Sequence, residues 1–131
     1  IAEAKIAAAT LGTSAMHDVT EGGLATALEE MSIAGRHKIR IDLDKIPVFP
    51  GTRKICGLLD IDPLGLIGSG SLLICCRKVG CEKLMADVRD AGVEIVCIGE
   101  VMDRGQGVTA YKKNRPVSWP AFEVDEITKL F

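Results

Sequence analysis

The order of hydrophobic patterns along the sequence predicts an α+β layer fold built on a mixed sheet. Helical and strand-like periods alternate without the strict repetition of a doubly wound parallel sheet. The segment "HKIRIDL" alternates cleanly, as a half-buried strand does. Near the end, two extended segments are separated only by "RGQG", which predicts a neighbouring antiparallel pair.

The elements follow in order. "IAEAKIAAATLG" reads as an Ala-rich helix with Gly12 placed to stop it, and because that helix already runs at the first residue the chain is expected to begin inside a larger protein. Ser14 to Val19 is extended. A helix over about residues 22–34 carries Leu24, Leu28 and Met31 inward and leaves Glu29 and Glu30 to water. In the strand beginning at His37, Ile39, Ile41 and Leu43 share one face, and Pro47 and Pro50 end it. Residues 51–60 form a short helix through Ile55, Leu58 and Leu59, and Asp62-Pro63 turns the chain into the loop "LGLIGSGS". "SLLICC" is apolar on both faces, as in a central strand covered on each side. Val79 to Ala91 is a helix with Leu84, Met85 and Val88 on one face, ended by Gly92. "VEIVCIGEV" and "VTAY" are strands, and "EVDEITKLF" closes the chain as a short helix with Val124, Ile127 and Phe131 inward.

Composition narrows the function. With 131 residues, 47% hydrophobic and 26% charged, the chain is one folded domain, and no apolar run approaches the roughly 20 residues of a membrane span. A net charge of -2, no basic run and few aromatics argue against a nucleic-acid surface. Small molecules or proteins are the expected partners. The five cysteines are odd in number, contain no C-x-x-C pair and mostly lie in apolar segments, so free thiols and a cytoplasmic location are expected. Cys75 and Cys76 are adjacent in a strand and point to opposite faces, which suits packing better than a shared metal or nucleophile site.

The chemistry-bearing stretch is "AMHDVTEGGL". Thr20 stands where an N-cap belongs, with Gly22 and Gly23 leaving first-turn amides open to a phosphate or another anion, a site that Glu21 would contest. His17 and Asp18 end the preceding strand, where a proton-exchanging imidazole and a carboxylate can project into a cleft. The alternative is a helix start whose polar groups only satisfy the backbone. "GSGS" (Gly68, Ser69, Gly70, Ser71) is a second donor-rich turn, either a ligand contact or an ordinary loop. His37 has no partner at metal-ligand spacing and is given no role, and no metal-ligand set is assigned.

In that order, "MHDVTEGGLATALEEM", "DPLGLIGSGSLLI" and "IGEVMDRGQGVTAY" resemble the C-terminal domain of the aminoimidazole ribonucleotide synthase superfamily, and within it the hydrogenase maturation factors of the HypE type. The resemblance runs from about Ile6 to Tyr111, with His17 to Leu24 its most specific part. It implies a three-layer α/β/α domain of a two-domain, ATP-dependent enzyme. The enzyme's own N-terminal domain would supply most ATP and Mg2+ ligands and form a homodimer, and a maturation partner protein is expected. By the same resemblance His17, Asp18, Thr20, Gly22 and Gly23 line the cleft, with Ser69, Gly70 and Ser71 as further candidates. The shared chemistry is ATP-driven activation of an amide-like oxygen, which in the hydrogenase factors dehydrates a carbamoyl group on a terminal cysteine. The sequence here ends Thr128-Lys129-Leu130-Phe131. That departure keeps two alternatives in view: a non-catalytic binding or assembly module of the same fold, and a purine-biosynthetic domain.

Overall fold

The computed structural model describes residues 1–131. The elements are α1 (Ala2–Ala9), β1 (Thr13–Asp18), α2 (Gly23–Gly35), β2 (His37–Asp42), α3 (Pro50–Leu59), β3 (Leu72–Cys76), α4 (Lys78–Asp90), β4 (Gly99–Arg104), β5 (Val108–Lys112) and β6 (Arg115–Val117). Short 3-10 turns occupy Leu43–Lys45, Pro63–Gly65 and Glu126–Leu130.

The fold is α+β with a mixed four-stranded sheet in the order β4-β2-β5-β6, as expected. β2 runs antiparallel to β4 and parallel to β5, and its period-two pattern puts Ile39 and Ile41 into the core. There they meet Leu28 of α2 and Ile46, with Leu24, Met31, Val108 and Trp119 packed around them. Burying one such aliphatic side chain stabilises by about 2 kcal/mol, so this cluster fixes α2 against the sheet.

β1 and β3 form a separate antiparallel pair, with His17 opposite Leu73 and Asp18 opposite Leu72. Ile74 and Cys76 pack into a second cluster built on Ala7 of α1 with Leu84 and Val88 of α4, while Leu73 reaches the α2 cluster. β3 is therefore covered on both sides, as its apolar sequence implied. It is not a central strand, because β1 is its sole ladder partner.

Other sequence expectations are corrected. β4 and β5 do not pair with each other across "RGQG"; β2 lies between them. The connection wraps the start of β2 instead. Gly105 N donates to Arg36 O, Gly107 O accepts from Ile39 N, and Ser32 Oγ accepts from Gly107 N at 2.8 Å. Residues 93–98 of "VEIVCIGEV" have no ladder, so the strand begins only at Gly99. α3 forms where expected but buries Cys56, leaving Ile55, Leu58 and Leu59 exposed. At the C-terminus a 3-10 turn replaces the helix; Val124, Ile127 and Phe131 are exposed, and the acidic Asp125 and Glu126 are the buried residues.

Candidate functional site

The antiparallel register of β1 and β3 brings the two candidate loops together. Asp18 ends β1 opposite Leu72, and the next residue, buried Val19, is bracketed by the "GSGS" turn: Val19 N donates to Ser71 O and Val19 O accepts from Gly68 N. The turn closes on itself through Ser71 N to Gly68 O at 2.8 Å. Asp18, Thr20, Ser69, Gly70 and Ser71 are exposed and His17 is half-buried, so these candidates share one solvent-facing edge.

His17 is held at both ring nitrogens. Nδ1 lies against the Asp18 carbonyl and 3.7 Å from Asp18 Oδ1, and Nε2 is 2.8 Å from Oε2 of Glu30 on α2. Glu30 is exposed, as the sequence implied, and its contact with His17 was not foreseen because a contact across an α–β packing distance has no local signal. Both of these ring contacts are oxygens, and a neutral imidazole can donate to only one of them.

Gly22 and Gly23 face the other way. Both are buried with positive φ, 76° and 64°, and Gly22 rather than Thr20 is the N-cap of α2. The expected Thr20 side-chain cap is thereby corrected: it is Thr20's backbone oxygen that accepts, from Gly23 N at 3.0 Å. A methyl group on Gly23 would collide with the carbonyls of Leu64 and Leu66, so this glycine lets the Pro63–Gly65 turn approach the helix. Gly22 N is also engaged, donating to Oδ2 of buried Asp125 at 3.0 Å. A carboxylate of the chain thus fills the place at the helix start where an anion is favoured.

The adjacent Glu126 accepts from Asp62 N at 2.9 Å and pairs with Lys129 at 2.7 Å. The Lys129 ammonium, followed by the Asp62 amide, holds its carboxyl below the ordinary value. Neither Asp125 nor Glu126 was singled out from sequence; each acts on residues more than sixty positions away.

The exposed edge is acidic. It carries Asp18, Glu21 and Glu30, and neither residues 13–32 nor 60–76 contain a lysine or arginine. No three His, Cys, Asp or Glu side chains converge as a metal site. Burial, then the neighbouring Cys76, pushes the Cys75 thiol up, which suppresses thiolate and suits its packing position. All five cysteines are free, and no helix is long and apolar enough to cross a membrane.

An α+β domain with a solvent-exposed strand end beside a glycine-serine turn is the class of protein these features define. Residues 1–112 match the family "AIR synthase related protein, C-terminal domain", and the chain belongs to that family. It is similar to the carbamoyl dehydratase HypE of Cupriavidus necator, 34% identical over 122 residues, which cover 88% of this chain and 35% of that protein. The crystal structure of E. coli HypE matches with a TM-score of 0.78 at 28% identity, over 92% of this chain and 39% of that one. A HypE–HypF complex matches at 0.76 with 26% identity, over 88% of this chain and 39% of the other. HypE in complex with ATP shares the fold, with a TM-score of 0.78 at 24% identity over 86% and 36%. The chain therefore spans little more than a third of the proteins it resembles.

Proposed function

We propose that this chain is the cleft-forming C-terminal domain of a two-domain, ATP-dependent hydrogenase-maturation protein of the HypE kind. The observation that carries the reading is the β1–β3 register, which sets His17 and Asp18 beside the Gly68–Ser71 turn on one exposed edge. Similarity to HypE over 88% of the chain supports it.

The charge of that edge assigns its share of the work. With carboxylates and no nearby cation in sequence, it is a poor direct binder of phosphate, so ATP is held chiefly by the N-terminal domain. Asp18 is the carboxylate suited to accept a hydrogen bond from an amide N–H of the substrate, or to meet a Mg2+ that arrives with the phosphates; such an ion uses one or two carboxylates and phosphate oxygens. His17 orients Asp18. Ser69, Gly70 and Ser71 offer hydroxyls and amides to the ligand, and Thr20 a further hydroxyl. Gly22 and Gly23 belong to the cleft by holding its floor, since their own space is filled by Asp125 and the 64–66 backbone. The assembled protein is a cytoplasmic homodimer, in keeping with five free thiols, and receives its carbamoyl substrate from a maturation partner.

Calorimetric titration with Mg-ATP tests this. An extended protein that carries the upstream domain is expected to bind saturably, and the 131-residue chain at least tenfold more weakly. Equal binding by both, or by neither, overturns the reading.

A further inference from the structure

We infer that Glu30 is the positioning residue of this edge, acting on Asp18 through His17; this rests on the reading of the edge as a ligand site. Glu30 projects from α2, a helix anchored in the core, since Leu28 is core and Ala25, Ala27 and Ser32 are buried around it. Its Oε2 meets His17 Nε2 at 2.8 Å. The opposite ring nitrogen, Nδ1, meets the Asp18 carbonyl and faces Asp18 Oδ1 at 3.7 Å. The imidazole is thus a strut between a rigid helix and the last residue of β1.

Two consequences follow from this geometry. First, His17 has no free ring nitrogen, so it does not serve as the proton acceptor for a ligand while the strut is in place; the group left free is the Asp18 carboxylate, whose side chain is 77% exposed. Second, Asp18 is the last ladder residue of β1, and the backbone beyond it is fixed by the two bonds of buried Val19 to the Gly68–Ser71 turn and by Gly23 N to Thr20 O, so the freedom left at Asp18 is that of its exposed side chain. The imidazole set beside Oδ1 restricts that side chain before a ligand arrives, which is how a carboxylate on an exposed edge becomes a directed acceptor.

His37 supplies an internal comparison. Its Nδ1 also meets a backbone carbonyl, that of Gly35 at 2.7 Å, but no carboxylate faces its Nε2.

The test uses imidazole 15N and 13C NMR on this chain, alongside kinetics on the extended protein. E30Q and E30A are expected to shift the His17 Nε2 resonance and broaden its ring motion while the His37 signals stay put. In the extended protein E30A is expected to lower kcat about tenfold with KM for ATP unchanged, and to add nothing when His17 is already Ala. His17 signals that ignore E30A in a folded chain overturn the strut. Signals that move without any change in kcat, or an E30A effect that persists in the H17A background, overturn the positioning role. Absence of ATP turnover in the unsubstituted extended protein would instead overturn the proposed function, and leaves the NMR result to decide the strut by itself.

Discussion

Oδ2 of Asp125 accepts the amide of Gly22 at 3.0 Å across 103 residues of sequence, while its Oδ1 caps the Glu126–Leu130 turn through Ile127 N. One buried carboxylate therefore closes two helix starts and ties the C-terminal segment to α2. D125A leaves both amides without that acceptor, and buried unpaired donors cost about 1–3 kcal/mol. Chemical denaturation is expected to show a loss of about 2 kcal/mol, and D125N a smaller one, since the amide oxygen can keep one bond. A loss below a few tenths of a kcal/mol for D125A would contradict the contact.

Glu126 makes stability depend on acid pH. Its carboxyl titrates below the ordinary value of 4.5 in the folded chain, because Lys129 and the Asp62 amide favour the charged form. The folded state therefore gains from Glu126 at pH above that value. The gain falls as pH drops through the lowered value and is absent below it. In parallel urea titrations, E126Q is expected to be less stable than the parent at neutral pH and to match it in strong acid. A difference that grows towards low pH would reverse the sign and refute the pairing.

The glycines separate a closely packed turn from an open one. At Gly23 a methyl group would strike the backbone of Leu64, Gly65 and Leu66, which cannot rotate away, and φ is +64°. G23A is expected to cost about 3 kcal/mol or more. At Gly70, φ is +91° but nothing lies within 4 Å of the added methyl. G70A is expected to cost only about 1 kcal/mol of backbone strain. Thermal unfolding of both variants checks the order; equal costs would place the demand at Gly23 in its backbone angle alone.

How much of this was legible in sequence depends on whether the signal is local. β2 was readable because alternation in Ile39 and Ile41 encodes a half-buried strand, and α2 and α4 because Leu28, Leu84 and Val88 recur at helical spacing. Strand partnership was not. "RGQG" suggests a hairpin by its length, yet which strand fills the sheet edge is decided by the Ser32 and Gly107 bonds around β2. At the C-terminus, Val124 and Ile127 suggested an inward face, but Asp125 and Glu126 turn in because amide donors await them at Gly22 and Asp62. The motif from His17 to Gly23 was visible as a unit. Its division into an exposed half and a buried half was not, since that follows from the positive φ of Gly22 and the approach of the 64–66 backbone.

Turnover by D18N decides whether this edge carries chemistry. In a protein extended by the proposed upstream domain, substrate-dependent ATP hydrolysis is to be measured for the parent and for D18N, with folding checked by circular dichroism. Asp18 is exposed and pairs with Leu72 only through the backbone, so the substitution leaves the fold intact. Loss of a directed carboxylate is expected to lower kcat by about 100-fold. Turnover within twofold of the parent in a folded D18N protein would contradict a catalytic edge here.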